Sequence, residues 1–178
     1  MPPYVALALG WTRHMLGDAF HLLTPANLVA AIGNTHLYKD WRFGPLEFDT
    51  TPAAVSVVAK SDYIRMAYVL KHGGVWLDAD TILFAPLSPT VFPEVLDDRL
   101  HWYSEALFGA SAGHDLIHLA VRNCLENTEH KWGNPGAIRA AITRHEDSVL
   151  HIPHHHFDPG YAPAYNFKTC DIMLDRTV

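Results

Sequence analysis

Two aspartates one residue apart, Asp78 and Asp80, stand at the end of the apolar run Val75-Trp76-Leu77. In an extended chain residues two apart point to the same side, so both carboxylates are expected on one face at the carboxyl end of a strand. Open α/β sheets bind their ligands at that end. Hard oxygen ligands at an open site suit Mg²⁺ or Mn²⁺, which keep waters and take phosphate oxygens as remaining ligands. An ion held there offsets the negative charge that grows on a departing nucleoside diphosphate. A second pair, Asp62 and Arg65, is three residues apart in a helical stretch, which places both on one helix face. A guanidinium in that position is suited to a forked contact with a carboxylate, a phosphate or a sugar hydroxyl.

The pair of aspartates alone carries little weight. Asp fills 13 of the 178 positions, so random placement gives roughly one Asp-x-Asp in a chain of this kind. Two solvated turn residues after a strand would look the same. The weight comes from an ordered set: Ser61-Asp62-Tyr63-Ile64-Arg65, a helical interval, Gly73-Gly74, an apolar-aromatic strand, then Asp78-Ala79-Asp80.

The elements that must hold these residues are legible around them. Ala53 to His72 carries a helical pattern opened by Thr51-Pro52, with a break expected near Ser61. Gly73-Gly74 ends it, because glycine tolerates the left-handed turn that reverses the chain. Upstream, Pro2 to Leu16 reads as a helix stopped by Gly17, Ala19 to Leu23 as a short strand, and Ala26 to Ile32 as a helix capped by Thr24-Pro25 and ended by Gly33. Residues 34 to 50 read as loop. Downstream, Ile82-Leu83-Phe84 is expected to be extended and His101 to Phe108 to form a strand. Helices follow from His114 to Asn127 and from Asn134-Pro135-Gly136 to Arg144, then a late strand from Val149 to Ile152. Alternating helices and strands favour a single α/β domain over residues 1–178 with a mostly parallel central sheet.

Composition narrows the function. About half the residues are hydrophobic and 18% are charged, as in ordinary globular proteins. The net charge of -6 argues against binding a nucleic-acid backbone. It leaves a nucleotide ligand open, since one divalent ion can neutralise a diphosphate. Cys124 and Cys170 have neither metal-binding nor redox spacing and read as two reduced thiols. No run approaches the roughly 20 apolar residues of a membrane span, and the first residues lack the pattern of a signal peptide. A cytoplasmic protein is expected, with peripheral membrane association and oligomeric state left open.

The ordered set resembles the glycosyltransferases whose sugar-binding region carries an Asp-x-Asp motif. These include capsular polysaccharide synthesis proteins, yeast outer-chain mannosyltransferases and, more distantly, glucosylating clostridial toxins. The matching residues are Ser61-Asp62-Tyr63-Ile64-Arg65, Leu70 and Gly73 to Asp80. Weaker likeness runs back to Pro3, forward through Phe108 to His114, and to Phe157-x-Pro159. The resemblance implies a GT-A-type nucleotide-binding sandwich and a metal-dependent, retaining transfer of sugar from a nucleotide-sugar donor to a saccharide or other acceptor. It implies that Ser61, Asp62 and Arg65 belong to the donor-binding set and that Asp62 and Arg65 touch sugar or ribose hydroxyls. Asp78 would touch ribose and sugar and help hold the metal, and Asp80 would be its direct ligand, with Arg65, Asp78 and Asp80 forming the catalytic group. The family's usual first strand, bearing an aromatic residue near the base, is not found unless Tyr4 to Trp11 supplies it. Trp11 is then the candidate for stacking on the base. His154 and His156 are candidates for the third metal ligand, His156 being the one carried forward.

Other readings remain beside this one. Val75 to Leu83 resembles the nucleophile motif of haloacid-dehalogenase-type phosphohydrolases, with Lys168, Asp171 and Asp175 imitating its distal residues. Against it, 77 residues precede Asp78, whereas that motif normally opens its domain. An inactive domain that binds a sugar nucleotide also fits the absent first strand. A glycoside hydrolase is disfavoured, because its two acids must flank the scissile bond. Trp41, Trp102 and Trp132 read as packing residues, Glu105 as solvated surface, and Asp97-Asp98 as a charged turn before Arg99.

Overall fold

The computed structural model describes residues 1–33, 53–83, 87, 92–93, 96–126 and 138–153. The chain begins with α1 (Pro3–Leu16), whose first residue is a proline, at a position that needs no intrahelical donor. Gly17 ends it at φ +56°, returning its N–H to the Arg13 carbonyl. A 3-10 turn, Gly17–Ala19, follows, and then α2 (Leu28–Ile32). The segment expected to be a strand at Ala19 to Leu23 is this turn and an irregular stretch. Its apolar residues line a cleft instead of pairing with a sheet.

The long helix α3 (Ala53–His72) runs without the break expected at Ser61. Gly73 and Gly74 sit at φ +69° and +97°, in the left-handed region where a side chain is strained. Gly73 has a second reason to be glycine: a Cβ there would lie 2.8 Å from the Ala112 backbone nitrogen. The glycine pair feeds β1 (Gly74–Leu77) back beside the helix.

β2 (Leu100–Ser104) and β3 (Leu107–Ala110) form a hairpin around Glu105-Ala106, where a single strand over His101 to Phe108 was expected. A turn of two residues can only join antiparallel strands. α4 (Asp115–Glu126), α5 (Ile138–Arg144) and β4 (Val149–His151) complete the order, close to the expected helices and late strand.

The sheet order is β1-β3-β2-β4. β3 pairs antiparallel with both β1 and β2, and only β2 with β4 is parallel. The sheet is therefore mixed rather than mostly parallel: the two-residue turn makes β2 and β3 antiparallel, and β4 reaches its parallel place beside β2 through the long return that carries α4 and α5. Tyr4 to Trp11 lies within α1 and is not a strand.

Alternation along the strands divides the core. Leu100, Trp102, Phe108 and Ala110 face the helices and pack with Met66 and Val69 of α3, Ile117 and Ala120 of α4, and Ile138 and Ala141 of α5. Trp102 is thus core, as its sequence context suggests, with its ring centroid 5.8 Å from that of Phe108. On the other face Leu107 packs with Phe92 and Ile152, and Val75 and Leu77 lie against them. Each wholly buried side chain of this kind contributes about 1.5–3 kcal/mol, so the face shared by α3, α4 and α5, on which Trp76 packs, anchors the strand that leads into Asp78.

Candidate active site

β1 is an edge strand. A cleft of about 900 Å³ runs beside it, bounded by α1, residues 19–25, α3 and β1. All the consecutive residues from Gly73 to Asp80 line it. A cleft over one sheet face would meet only alternate residues, so this one follows the outer edge of the strand. Val5, Leu9, Leu16, Phe20, Leu23 and Ile64 give it an apolar wall, and Ser61, Asp78 and Asp80 supply polar groups. Trp11 is not among the lining residues: its indole N–H donates to the Leu83 carbonyl at 2.5 Å. With Thr12, whose hydroxyl donates to the Thr81 carbonyl at 3.3 Å, it ties α1 to the segment after the acid pair.

The strand stops at Leu77, and Asp78 to Thr81 is a turn closed by Thr81 N–H to the Asp78 carbonyl at 3.0 Å. Asp78 and Asp80 therefore do not share one face of an extended strand, as their spacing suggested. The turn nevertheless leaves both on the same cleft. Asp78 is held in place through its backbone, whose N–H donates to the Ala106 carbonyl at 2.9 Å. Its carboxylate is 28% exposed. Oδ1 accepts the Trp76 indole N–H at 2.8 Å and lies 3.4 Å from Nη1 of Arg65. Asp80 is exposed, and its carboxylate has no hydrogen-bond or ion-pair partner among the described residues.

Arg65 and Asp62 lie behind this wall, buried to 6% and 1% exposure and outside the cleft lining. The guanidinium is engaged by the protein. Nη1 donates to the Glu105 carbonyl at 2.5 Å, Nη2 donates to Ser61 Oγ at 3.0 Å, and Nη2 is 3.3 Å from Asp62 Oδ1. The Trp76 ring centroid is 5.9 Å from its Cζ, at the outer range of a cation–π contact. Removing a charge from water costs several kcal/mol unless partners replace the solvent. Here one cation between two carboxylates, with the Glu105 carbonyl, Ser61 Oγ and the Ser61 carbonyl (3.4 Å from Nε) as acceptors besides, meets that condition. Ser61 spans both environments: it accepts from Arg65 and lines the cleft.

Glu105, expected to be solvated, is 9% exposed at the tip of the β2–β3 hairpin and takes Arg139 Nε at 2.8 Å on its Oε1. Sequence reasoning missed its part at the site because that part is played by a backbone carbonyl, which leaves no trace in residue type. The Trp76 donor was also missed, although its position two residues before Asp78 on a strand held the signal.

Two carboxylates on one cleft fit a hard divalent ion that is completed by ligand phosphate and water. No group of three or more His, Cys, Asp or Glu residues gathers among the described residues, so the ion's remaining ligands would come from outside that set. His154 and His156, like Trp41, Trp132, Phe157, Lys168, Asp171 and Asp175, lie outside the described residues. No described helix is long and apolar enough to cross a membrane.

No curated protein and no solved structure matches the chain. Residues 30–100, about two-fifths of the sequence, match the family model of the glycosyltransferase sugar-binding region containing a DXD motif, a span that takes in α3, the glycine turn, β1 and the Asp78–Asp80 pair.

Proposed function

We propose that the chain is a metal-dependent transferase that takes a sugar from a nucleotide-sugar donor and passes it to a saccharide or other acceptor, with retention of configuration. The observation that carries this reading is the meeting of Asp78 and Asp80 on one cleft of about 900 Å³ within the span matched by the sugar-binding region. That volume falls at the upper end of the range for small-molecule sites.

The residues divide the work by their surroundings. Asp80, exposed and unpartnered among the described residues, is the acid free to meet a metal-bound diphosphate. Mn²⁺ or Mg²⁺, when bound there, would offset the charge that builds on the leaving diphosphate. Asp78 presents its remaining carboxylate oxygen from a fixed backbone. Ser61, already an acceptor toward Arg65, keeps its own O–H for a donor hydroxyl. The apolar wall from α1 limits water near the anomeric carbon, which favours transfer over hydrolysis. Asp62 and Arg65 serve the donor by holding Asp78 and Ser61.

A thermal-shift screen of nucleotide sugars in Mn²⁺ and in EDTA tests the proposal. A ligand at about a hundred times its Kd should raise the unfolding midpoint by about 5–10 °C, and only with the ion. A full panel that leaves the midpoint unmoved in Mn²⁺ would refute it.

A further inference from the structure

We propose that Trp76 is a positioning residue: its indole N–H fixes the Asp78 carboxylate through Oδ1, so that Asp78 meets its ligand through Oδ2 alone. The inference rests on the cleft being the donor site and assigns a division of labour within it.

The strand geometry makes the contact. Trp76 lies in β1 and Asp78 directly follows it, with its N–H still paired to the Ala106 carbonyl, so the two side chains leave the chain on the same side. The Trp76 ring is packed against the helical core, which leaves its nitrogen little freedom. Indole can donate and cannot accept. Its only role toward Asp78 is therefore to hold a carboxylate oxygen, at 2.8 Å. The Arg65 contact to the same oxygen is 3.4 Å, an ion pair without the directionality of a hydrogen bond at that length. Trp76 thus supplies the restraint on carboxylate rotation, and Arg65 supplies charge. Oδ2 has no partner among the described residues. Among the described residues Asp80 has no such holder, so they pair one fixed acid with one unpartnered acid.

Two measurements on the full chain test this. In a ¹⁵N-indole spectrum the Trp76 resonance is identified by its loss in Trp76→Phe. Asp78→Asn should then move that resonance upfield and speed its exchange with solvent. Next, UDP and GDP are each titrated into wild type, Trp76→Phe and Trp76→Tyr, in Mn²⁺ and in EDTA. The ratio of the two affinities is the readout, since a purely structural role would weaken both conditions alike. Trp76→Phe should cut the Mn²⁺-dependent ratio by about tenfold, the size expected for losing one hydrogen bond to a charged group. Trp76→Tyr, which keeps aromatic packing, guards against a folding defect and should lose a similar share. A wild-type ratio above one that both variants preserve would overturn this inference alone, as would an indole resonance indifferent to Asp78→Asn. A wild-type ratio of one for both nucleotides would overturn the donor-site reading and this inference with it.

Discussion

Arg65 Nη1 donates to the backbone carbonyl of Glu105, forty residues further along the chain, at 2.5 Å. Through that bond the middle of α3 holds the tip of the β2–β3 hairpin, and the same guanidinium stands beside Asp78. Arg65→Lys keeps the charge and loses the fork that reaches Glu105, Ser61 and Asp62 together. We expect a stability loss of about 1–3 kcal/mol by urea denaturation, with weaker donor binding as a consequence of a displaced Asp78. Unchanged stability with lost turnover would instead place Arg65 in direct contact with the ligand.

Glu105 should behave differently from its own carbonyl. Its carboxylate pairs with Arg139, whose side chain is 59% exposed. Glu105→Gln should therefore cost less than about 1 kcal/mol, the usual worth of a pair with one partner in solvent. A loss as large as that of Arg65→Lys in the same denaturation series would mean that the carboxylate, not the backbone, secures the hairpin tip.

Gly73 tests the turn that delivers β1. Alanine there meets both a positive φ of +69° and the Ala112 nitrogen at 2.8 Å. Gly73→Ala should lose more than about 1 kcal/mol from the left-handed backbone alone, and shifting the loop before α4 adds to it. A midpoint equal to wild type in chemical denaturation would contradict the reversal described for this turn.

Asp97 gives the molecule an acid-sensitive point away from the cleft. Hydrogen bonds from the Arg99 side chain and backbone hold its carboxyl well below the usual carboxylate range, with His101 contributing. A depressed folded value means the stabilisation is present above the ordinary carboxylate pKa of about 4 and is lost as pH falls below it. Asp97→Asn should be less stable than wild type at neutral pH, by a modest amount because the carboxylate is 45% exposed. The gap between the two proteins should narrow steadily as pH falls below about 4, because the unfolded chain takes up the proton that the folded carboxyl resists. A gap that stays constant down the pH range would show that the difference is not this ionisation.

The sequence made the central unit readable because each step has a local cause. The glycine pair, the helix before it and the apolar strand after it are set by backbone permissiveness and periodicity, and α3, β1 and the acid pair follow the expected order. What it could not reveal was the pairing of strands. The apolar stretch at residues 19–23 has strand composition, but it lines the cleft without pairing to the sheet. The hairpin at Glu105-Ala106 carries no glycine or asparagine to announce a turn. Without that turn, helix and strand alternation suggested parallel strands where two of three pairings are antiparallel. At the site, residue types marked Asp62, Arg65, Asp78 and Asp80. They could not show that Arg65 is consumed by protein oxygens while Asp80 has no partner among the described residues, because that depends on which groups the hairpin brings to α3.

The central claim is that Asp80 joins a divalent ion to a diphosphate. Calorimetric titration of UDP and of GDP into the wild-type chain and into Asp80→Asn, each in Mn²⁺ and in EDTA, tests it most directly. Wild type should bind one of the nucleotides at least about tenfold more tightly with the ion, a difference of about 1.4 kcal/mol. Asp80→Asn, folded by its thermal midpoint, should lose most of that gain, because an amide is a poorer ligand for a hard cation than a carboxylate. Equal wild-type affinity in Mn²⁺ and EDTA, or a gain that survives in Asp80→Asn, would contradict the account.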